Sequence, residues 1–183
     1  MTSRFLTWLK NKQKETKKSK CKAWKKNGAG VLVFCSDTKR FLLHCRGKGG
    51  SNSGQYGLFG GSLELGENEA KHIKSLADLS EEEILGLFEK TARRELKEES
   101  GYQGEIDLKL INVFRDSKCK FQFYNFLGTV SKEFKVNPPK EFLLETDVEK
   151  SIWMTWEELK NLQPKHFGLK NIVKKSWENP NFL

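Results

Sequence analysis

Apolar residues recur along the chain in short runs separated by polar or glycine-rich turns, and these runs predict β-strands. The predicted strands lie at residues 30–36, 41–46, 106–115, 119–130 and 151–155. Two short apolar-periodic stretches near the end of the chain predict helices at residues 156–162 and 168–177. Strands interleaved with helices over this length predict an α/β fold with a mixed sheet.

A longer helix is predicted at residues 81–99. Ser80 and Glu83 form a capping-box pattern, in which Ser80 is the N-cap and Glu83 occupies the third helical position. Gly101 follows the last helical residue and is a typical C-terminal stop.

This helix carries an unusual concentration of charge. Glu95, Glu98 and Glu99 stand at positions i, i+3 and i+4, so their carboxylates project from one face. Like charges repel, so such a face is favourable when cations lie on it, and oxygen ligands suit Mg²⁺ or Mn²⁺. The ordinary alternative is a solvated, salt-bridged helix face.

The segment before this helix favours the metal-binding interpretation. Residues 60–67 form a glycine-punctuated acidic turn after the strand-like residues 56–59. Glycines let the backbone approach a ligand closely, and a following acidic helix suits phosphate and metal binding.

Together the two segments resemble the signature motif of the Nudix hydrolases. Gly61, five residues and Glu67 match its first half, and residues 94–102 match Arg-Glu-Leu-x-Glu-Glu-x-Gly followed by a bulky residue. The departure is the spacer, because 26 residues separate Glu67 from Arg94 where the family has seven. We expect the extra residues to lie mostly in a longer loop at 68–79 and partly in an added first stretch of the helix, since loop lengthening changes stability little.

The resemblance implies a Nudix α/β/α sandwich that hydrolyses a diphosphate in a nucleotide derivative with Mg²⁺ or Mn²⁺. The implied metal ligands are Gly61 through its carbonyl oxygen and the carboxylates Glu64, Glu95, Glu98 and Glu99. Arg94 would orient these carboxylates. Glu98 is implied to take part in catalysis as a ligand of the metal ion. The general base varies within the family. Glu95 is one candidate, and the others are the acids Glu145, Asp147 and Glu149 of a distant loop, of which Asp147 best matches the position in many relatives.

Substrate contacts are less specified by the sequence. Arg46 and Lys48 lie where relatives often contact phosphate, although both also fit a flexible basic loop. Tyr56 and Phe59 are candidates for substrate binding, although aromatic residues in strands more often lie in the core.

Charge divides the chain into two parts. Residues 1–26 hold ten Lys or Arg and one acidic residue, so this segment carries the whole formal net charge of +9. We therefore expect a basic N-terminal extension at 1–26 and a Nudix hydrolase domain at 27–183. Such an extension suits RNA or an anionic surface, or merely a solvated tail.

The cysteines and the lack of long apolar runs bear on where the protein is located, but not on its substrate. Its four cysteines lack metal-ligand spacing, and no signal peptide or long apolar run is visible, which predicts a cytoplasmic enzyme with reduced thiols. Three functions remain open: a small-nucleotide pyrophosphohydrolase, an RNA 5′-end or cap hydrolase, and a non-catalytic nucleotide-binding module. The oligomeric state is not predicted.

Overall fold

The computed structural model describes residues 27–47, 53–73, 75–115, 121–140 and 148–178. The five strands that the apolar runs predict are present, and within the described residues seven strands form one mixed sheet. They are β1 (Gly28–Cys35), β2 (Arg40–Arg46), β3 (Tyr56–Gly57), β4 (Phe59–Ser62), β5 (Asp107–Arg115), β6 (Gln122–Val130) and β7 (Val148–Met154).

The sheet is built around β1. Strand β6 pairs with β1 in parallel, and β5 pairs with β6 antiparallel. On its other edge β1 pairs with β2 near their hairpin and with β4 at its own first residues. Because β3 pairs with β2, residues 56–62 fill the space where β1 and β2 diverge. This places Gly60 and Gly61 inside the sheet, whereas the sequence predicts a turn there.

Helices cover both faces of the sheet. They are α1 (Glu67–His72), α2 (Glu81–Ser100), α3 (Trp156–Asn161) and α4 (Phe167–Glu178). One face of the sheet packs its apolar side chains on α2, with Val31, Phe88 and Leu96 in that core. The opposite face packs on α3 and α4, with Leu32, Leu159 and Ile172 in a second core. The predicted α/β/α sandwich with a mixed sheet is therefore confirmed.

The ends of α2 are set by local chemistry, as predicted. The Ser80 hydroxyl accepts a hydrogen bond from the Glu83 amide at 3.2 Å, and the Glu83 carboxylate accepts one from the Ser80 amide at 2.7 Å. Gly101 ends the helix at φ 73°, a left-handed conformation that favours glycine.

The segment between the two halves of the motif is more ordered than a simple loop. It contains α1 and a short 3₁₀ turn at Leu76–Asp78, so the prediction of a plain loop at 68–79 is wrong. Glu69 forms an ion pair with Lys90 of α2 at 2.7 Å, and Leu76 is buried in the core beneath α2. An apolar anchor and an ion pair thus hold the inserted residues against α2.

Two further observations concern the cysteines and the helices. Cys35 and Cys45 are buried free thiols, as expected, whereas Cys21 and Cys119 lie outside the described residues. None of the helices in the described part of the chain has the length and apolar character that a bilayer crossing needs.

Candidate active site

The glycines of β4 let the strand approach its neighbours closely. A side chain at Gly60 would meet the Ala29 carbonyl oxygen and, at 2.5 Å, the Gly30 Cα atom. A side chain at Gly61 would meet the Glu95 carboxylate at 2.5–2.6 Å. These two positions therefore bring the backbone of β4 against β1 on one side and α2 on the other.

The three predicted carboxylates of α2 do lie beside this strand. The Glu99 carboxylate accepts a hydrogen bond from the Gly60 amide at 2.7 Å. Glu95 packs against Gly61, and Glu98 lies one turn further along the helix. The i, i+3, i+4 spacing thus produces the shared acidic face expected from the sequence.

Arg94 ties this acidic face to β4. Its guanidinium donates hydrogen bonds to the Glu95 carboxylate at 2.6 Å and the Glu98 carboxylate at 2.7 Å. It also donates to the Ser62 carbonyl oxygen at 3.0 Å, and the Glu64 carboxylate lies 3.7 Å away. Charge-assisted bonds of this kind fix the orientation of carboxylates, which is the role that the resemblance implies for Arg94.

Burial changes the ionisation of Glu95. Its side chain is only 11% exposed, whereas that of Glu64 is 70% exposed. Burial raises the pKa of Glu95 to about 7; Arg94 opposes this shift by favouring the charged form, and Glu98 adds to it by repulsion. A carboxyl group in this environment exchanges its proton near neutral pH.

The donor set fits a hard divalent cation in its chemistry. Three carboxylates and the backbone oxygens of β4 are the ligands that Mg²⁺ and Mn²⁺ prefer. Among the residues that the structure describes, however, no three such side chains already stand in a metal-binding arrangement. Arg94 holds Glu95 and Glu98 in their present orientations, and the Gly60 amide holds Glu99.

Arg46 and Tyr56, two of the predicted substrate-binding residues, lie on paired strands. Arg46 ends β2, and Tyr56 of β3 pairs with Cys45, the residue before it. Arg46 and Lys170 both lower the pKa of His166, which precedes α4. Tyr56 is half-buried on β3, with the Lys150 ammonium 6.0 Å from its ring centroid. Lys48 and Asp147 lie outside the described residues, as does the basic extension 1–26.

Phe59 is not brought to the site surface. It is fully buried in the core under α2, and its ring stacks on His44 with centroids 5.2 Å apart. The structure therefore corrects its assignment as a substrate-binding residue. Its apolar ring fills space between the sheet and α2.

Several functional groups of the site are absent from the sequence-based prediction. The Gly60 amide and the Ser62 carbonyl are backbone groups, which no side-chain pattern reveals. The sequence analysis assigns no role to His166, which precedes α4 and is repelled in its charged form by Arg46 and Lys170. Only the positions of the β4 glycines in the sequence signal that backbone groups contribute to this site.

Comparison with known proteins gives the family. Residues 86–175 match the family model of the NUDIX domain, a range that includes the Arg94–Glu99 half of the motif. The comparison with curated protein sequences finds no match.

Solved structures share the fold at low identity. A Nudix hydrolase from M. smegmatis, RenU, superimposes with a TM-score of 0.59 at 13% identity, covering 84% of each chain. The NUDIX domain of Shewanella oneidensis NrtR, solved with ADP ribose, gives 0.55 at 16% identity over 99% of this chain and 100% of that one.

A third similar structure contains a metal ion. It is a bifunctional NMN adenylyltransferase/ADP ribose pyrophosphatase from Francisella tularensis, complexed with AMP and a manganese ion. It gives a TM-score of 0.52 at 16% identity over 96% of this chain and 46% of that one. The family-model match, the shared fold and the acidic face beside β4 show that the chain belongs to the Nudix hydrolase family, whose enzymes act on phosphoric anhydride bonds.

Proposed function

We propose that the protein is a Mg²⁺- or Mn²⁺-dependent pyrophosphohydrolase that cleaves a nucleoside triphosphate or a nucleoside diphosphate derivative. The observation that carries this proposal is the Arg94-centred cluster of carboxylates packed on the glycine backbone of β4. The relatives solved with ADP ribose and with AMP and manganese support the substrate class.

The carboxylates of Glu95, Glu98 and Glu99 would hold the cation, with the Gly61 carbonyl and Glu64 as further ligands. A bound divalent cation neutralises phosphate oxygens and lowers the pKa of a water molecule. Arg94 joins Glu95 and Glu98 to β4 through the Ser62 carbonyl oxygen, and the Glu95 carboxylate lies close to Gly61.

The attacking water must lose a proton to a base within hydrogen-bond reach. We propose Glu95 or Asp147 for this role. Glu95 is buried next to Gly61, and Asp147 precedes β7 in a segment outside the described residues. Replacing each by its amide, and comparing the loss of kcat, distinguishes the two candidates.

Substrate phosphate is proposed to contact Arg46 and Lys48, with Tyr56 nearby. Arg46 and Lys170 both lower the pKa of His166, which places these two cations around the start of α4. Lys150 approaches the same region from β7 through the Tyr56 ring. Positive charge contributed by three different elements favours an anionic substrate on this side of the sheet.

A second candidate function is hydrolysis at the 5′ end or cap of RNA. The observation that favours it is the basic extension 1–26, which carries the whole net charge of the chain. Phosphate contacts by such a segment would make RNA binding fall steeply with salt. A non-catalytic nucleotide-binding role is less supported, because all four charged positions of the α2 half of the motif are present.

The test is phosphate release across a panel of nucleoside triphosphates, dinucleoside polyphosphates, ADP-ribose and capped RNA, with Mg²⁺, Mn²⁺ or excess chelator. We expect metal-dependent release from at least one small nucleotide. Turnover undiminished in chelator would contradict the metal assignment. No release from any substrate by a folded protein would contradict the enzymatic function.

A further inference from the structure

Gly28 occupies an unusual place outside the recognised motif. It is the first residue of β1 and lies opposite Ser62 of β4 in the antiparallel ladder. A Cβ atom at this position would meet the Gly61 carbonyl oxygen far inside contact distance, and the Phe123 ring at 3.0–3.1 Å. The conflict with Gly61 involves backbone, which cannot move aside as a flexible side chain does.

Backbone conformation does not explain the glycine. Among the described glycines, only Gly54 and Gly101 have positive φ, so Gly28 has no conformation that other residues avoid. Glycine inside a strand weakens it, and often marks a close approach of another backbone. The close approach here is that of the Gly61 carbonyl.

The backbone at Gly60 and Gly61 is also fixed from the side of α2. The Gly60 amide is held by Glu99 at 2.7 Å, and a side chain at Gly61 would run into the Glu95 carboxylate at 2.5 Å. Gly28 therefore borders the only carbonyl among the proposed metal ligands, on the side facing away from Glu95.

We infer that Gly28 is a positioning residue: its missing side chain lets the Gly61 carbonyl oxygen lie where it can serve the proposed metal site. This inference rests on the proposed function. It predicts that enlarging residue 28 moves the Gly61 carbonyl without touching any carboxylate of α2.

Gly30 provides a matched control on the same strand and the same side. A Cβ atom there would also meet the Phe123 ring, at 3.0–3.1 Å, and the Phe59 carbonyl oxygen at 3.2 Å. Its three nearest atoms belong to Phe123 and Phe59, and none of them to Gly61. Gly28→Ala and Gly30→Ala thus share the crowding of Phe123 and differ in the crowding of the ligand carbonyl.

The experiment measures Mn²⁺ affinity of the full chain by electron paramagnetic resonance, without substrate, beside circular dichroism as a check of folding. We expect Gly28→Ala to weaken Mn²⁺ binding by about tenfold or more, the range seen when groups supporting a metal ligand are removed. Gly30→Ala should stay within about threefold of wild type, since the same support is intact. Equal Mn²⁺ affinities for the two variants would overturn the inference.

A further pair of variants keeps the test decisive if Gly28→Ala folds poorly. Phe123→Ala removes the ring from both glycines, so Gly28→Ala in that background retains only the conflict with the Gly61 carbonyl. Weaker Mn²⁺ binding by this double variant than by Phe123→Ala supports the inference, and equal binding contradicts it. A wild-type protein that binds Mn²⁺ but hydrolyses no nucleotide would instead contradict the proposed function alone.

Discussion

The three acidic residues of the motif on α2 have different hydrogen-bond partners, and Arg94 binds two of them. It donates to Glu95 and Glu98, whereas Glu99 takes its hydrogen bond from the Gly60 amide. Each of these carboxylates therefore has a hydrogen-bond partner. Replacing one of them by its amide keeps the size of the side chain and removes its charge.

The first prediction concerns these charges. Glu98→Gln or Glu99→Gln should lower kcat by about 10²-fold or more while the protein stays folded, because each removes charge that stabilises the transition state. Glu89→Gln is the matched control, since Glu89 lies on the same helix but pairs with Arg93. Steady-state kinetics on the best nucleotide substrate measures the effect. Near wild-type kcat in both variants would show that these carboxylates are not part of the site.

The second prediction concerns His166 and acid stability. Burial lowers the pKa of His166, and repulsion from Arg46 and Lys170 adds to the shift, so that the pKa is about 4. Between roughly pH 6.5 and pH 4 the unfolded chain binds a proton that the folded chain excludes. The free energy of unfolding should therefore fall as the pH is lowered through this window, by about 2 kcal/mol after allowance for partial exposure.

Urea unfolding at pH 7.5 and pH 5, compared between wild type and His166→Gln, isolates this contribution. The variant should lose less stability on acidification than wild type does. His72→Gln, on the exposed surface of α1, is the control and should match wild type. Identical pH dependence in wild type and His166→Gln would show that the folded state does not exclude the proton.

For single residues, the sequence predicts the functional side chains of the site better than the backbone groups that they contact. Glu95, Glu98, Glu99 and Arg94 were identified by spacing and motif, and the structure brings them together. Phe59 was misassigned because an aromatic residue beside a glycine pair looks the same in sequence whether it lines a pocket or fills a core. Its burial follows from the alternation of β4 against α2, which only the paired strands specify.

Among the secondary-structure elements, α2 has the clearest local specification. Its N-terminus is set by the Ser80 capping box, and its C-terminus by the left-handed Gly101. A Cβ atom at Gly101 would also strike the Asn137 carbonyl oxygen of the following loop. In contrast, Gly86 lies on an exposed turn of α2 with nothing within 4 Å of a Cβ atom.

The third prediction compares these two glycines. Gly101→Ala should destabilise the protein by about 2 kcal/mol or more, because it combines backbone strain with a steric clash. Gly86→Ala should stabilise it by roughly 0.5–1 kcal/mol through higher helix propensity. Thermal or urea unfolding measures both changes. Destabilisation by Gly86→Ala would indicate an unrecognised contact at that turn.

Element boundaries were predicted well where a cap or a turn residue marks them. The limits of α2 and of the β1–β2 hairpin agree with the structure to within two residues. Strand β4 was missed because Gly60 and Gly61 look like a turn, and their strand conformation depends on pairing with distant β1. Helix α1 was missed because its register is fixed by contacts such as Glu69 with Lys90, which are invisible to local patterns.

For the molecule as a whole, charge is the main asymmetry. The extension 1–26 carries the net positive charge, while residues 27–183 are balanced between basic and acidic side chains. Its assignment as a separate segment, like the cytoplasmic location, stays a prediction from the sequence. Family and fold were predictable because the acidic motif survives intact on one helix.

The fourth prediction tests the extension. Deleting residues 1–26 should leave turnover of small nucleotides within a few-fold, because every described site residue lies beyond it. RNA binding, where present, should weaken and lose much of its salt dependence. Kinetics and a salt titration on both proteins measure these effects. Loss of all small-nucleotide turnover by a cooperatively melting deletion protein would place the extension in the active site.

The capping box at Ser80 has a consequence for how relatives of this chain are found. Because the Ser80 capping box sets the start of α2, residues can be added ahead of this helix without shifting Glu95 relative to Gly61. The family model matches only from residue 86, after the insertion. A search pattern with a fixed distance between the glycine and the acidic helix would miss such chains. A search that looks for the glycine half and the acidic half of the motif separately, with no fixed distance between them, should find more of these chains.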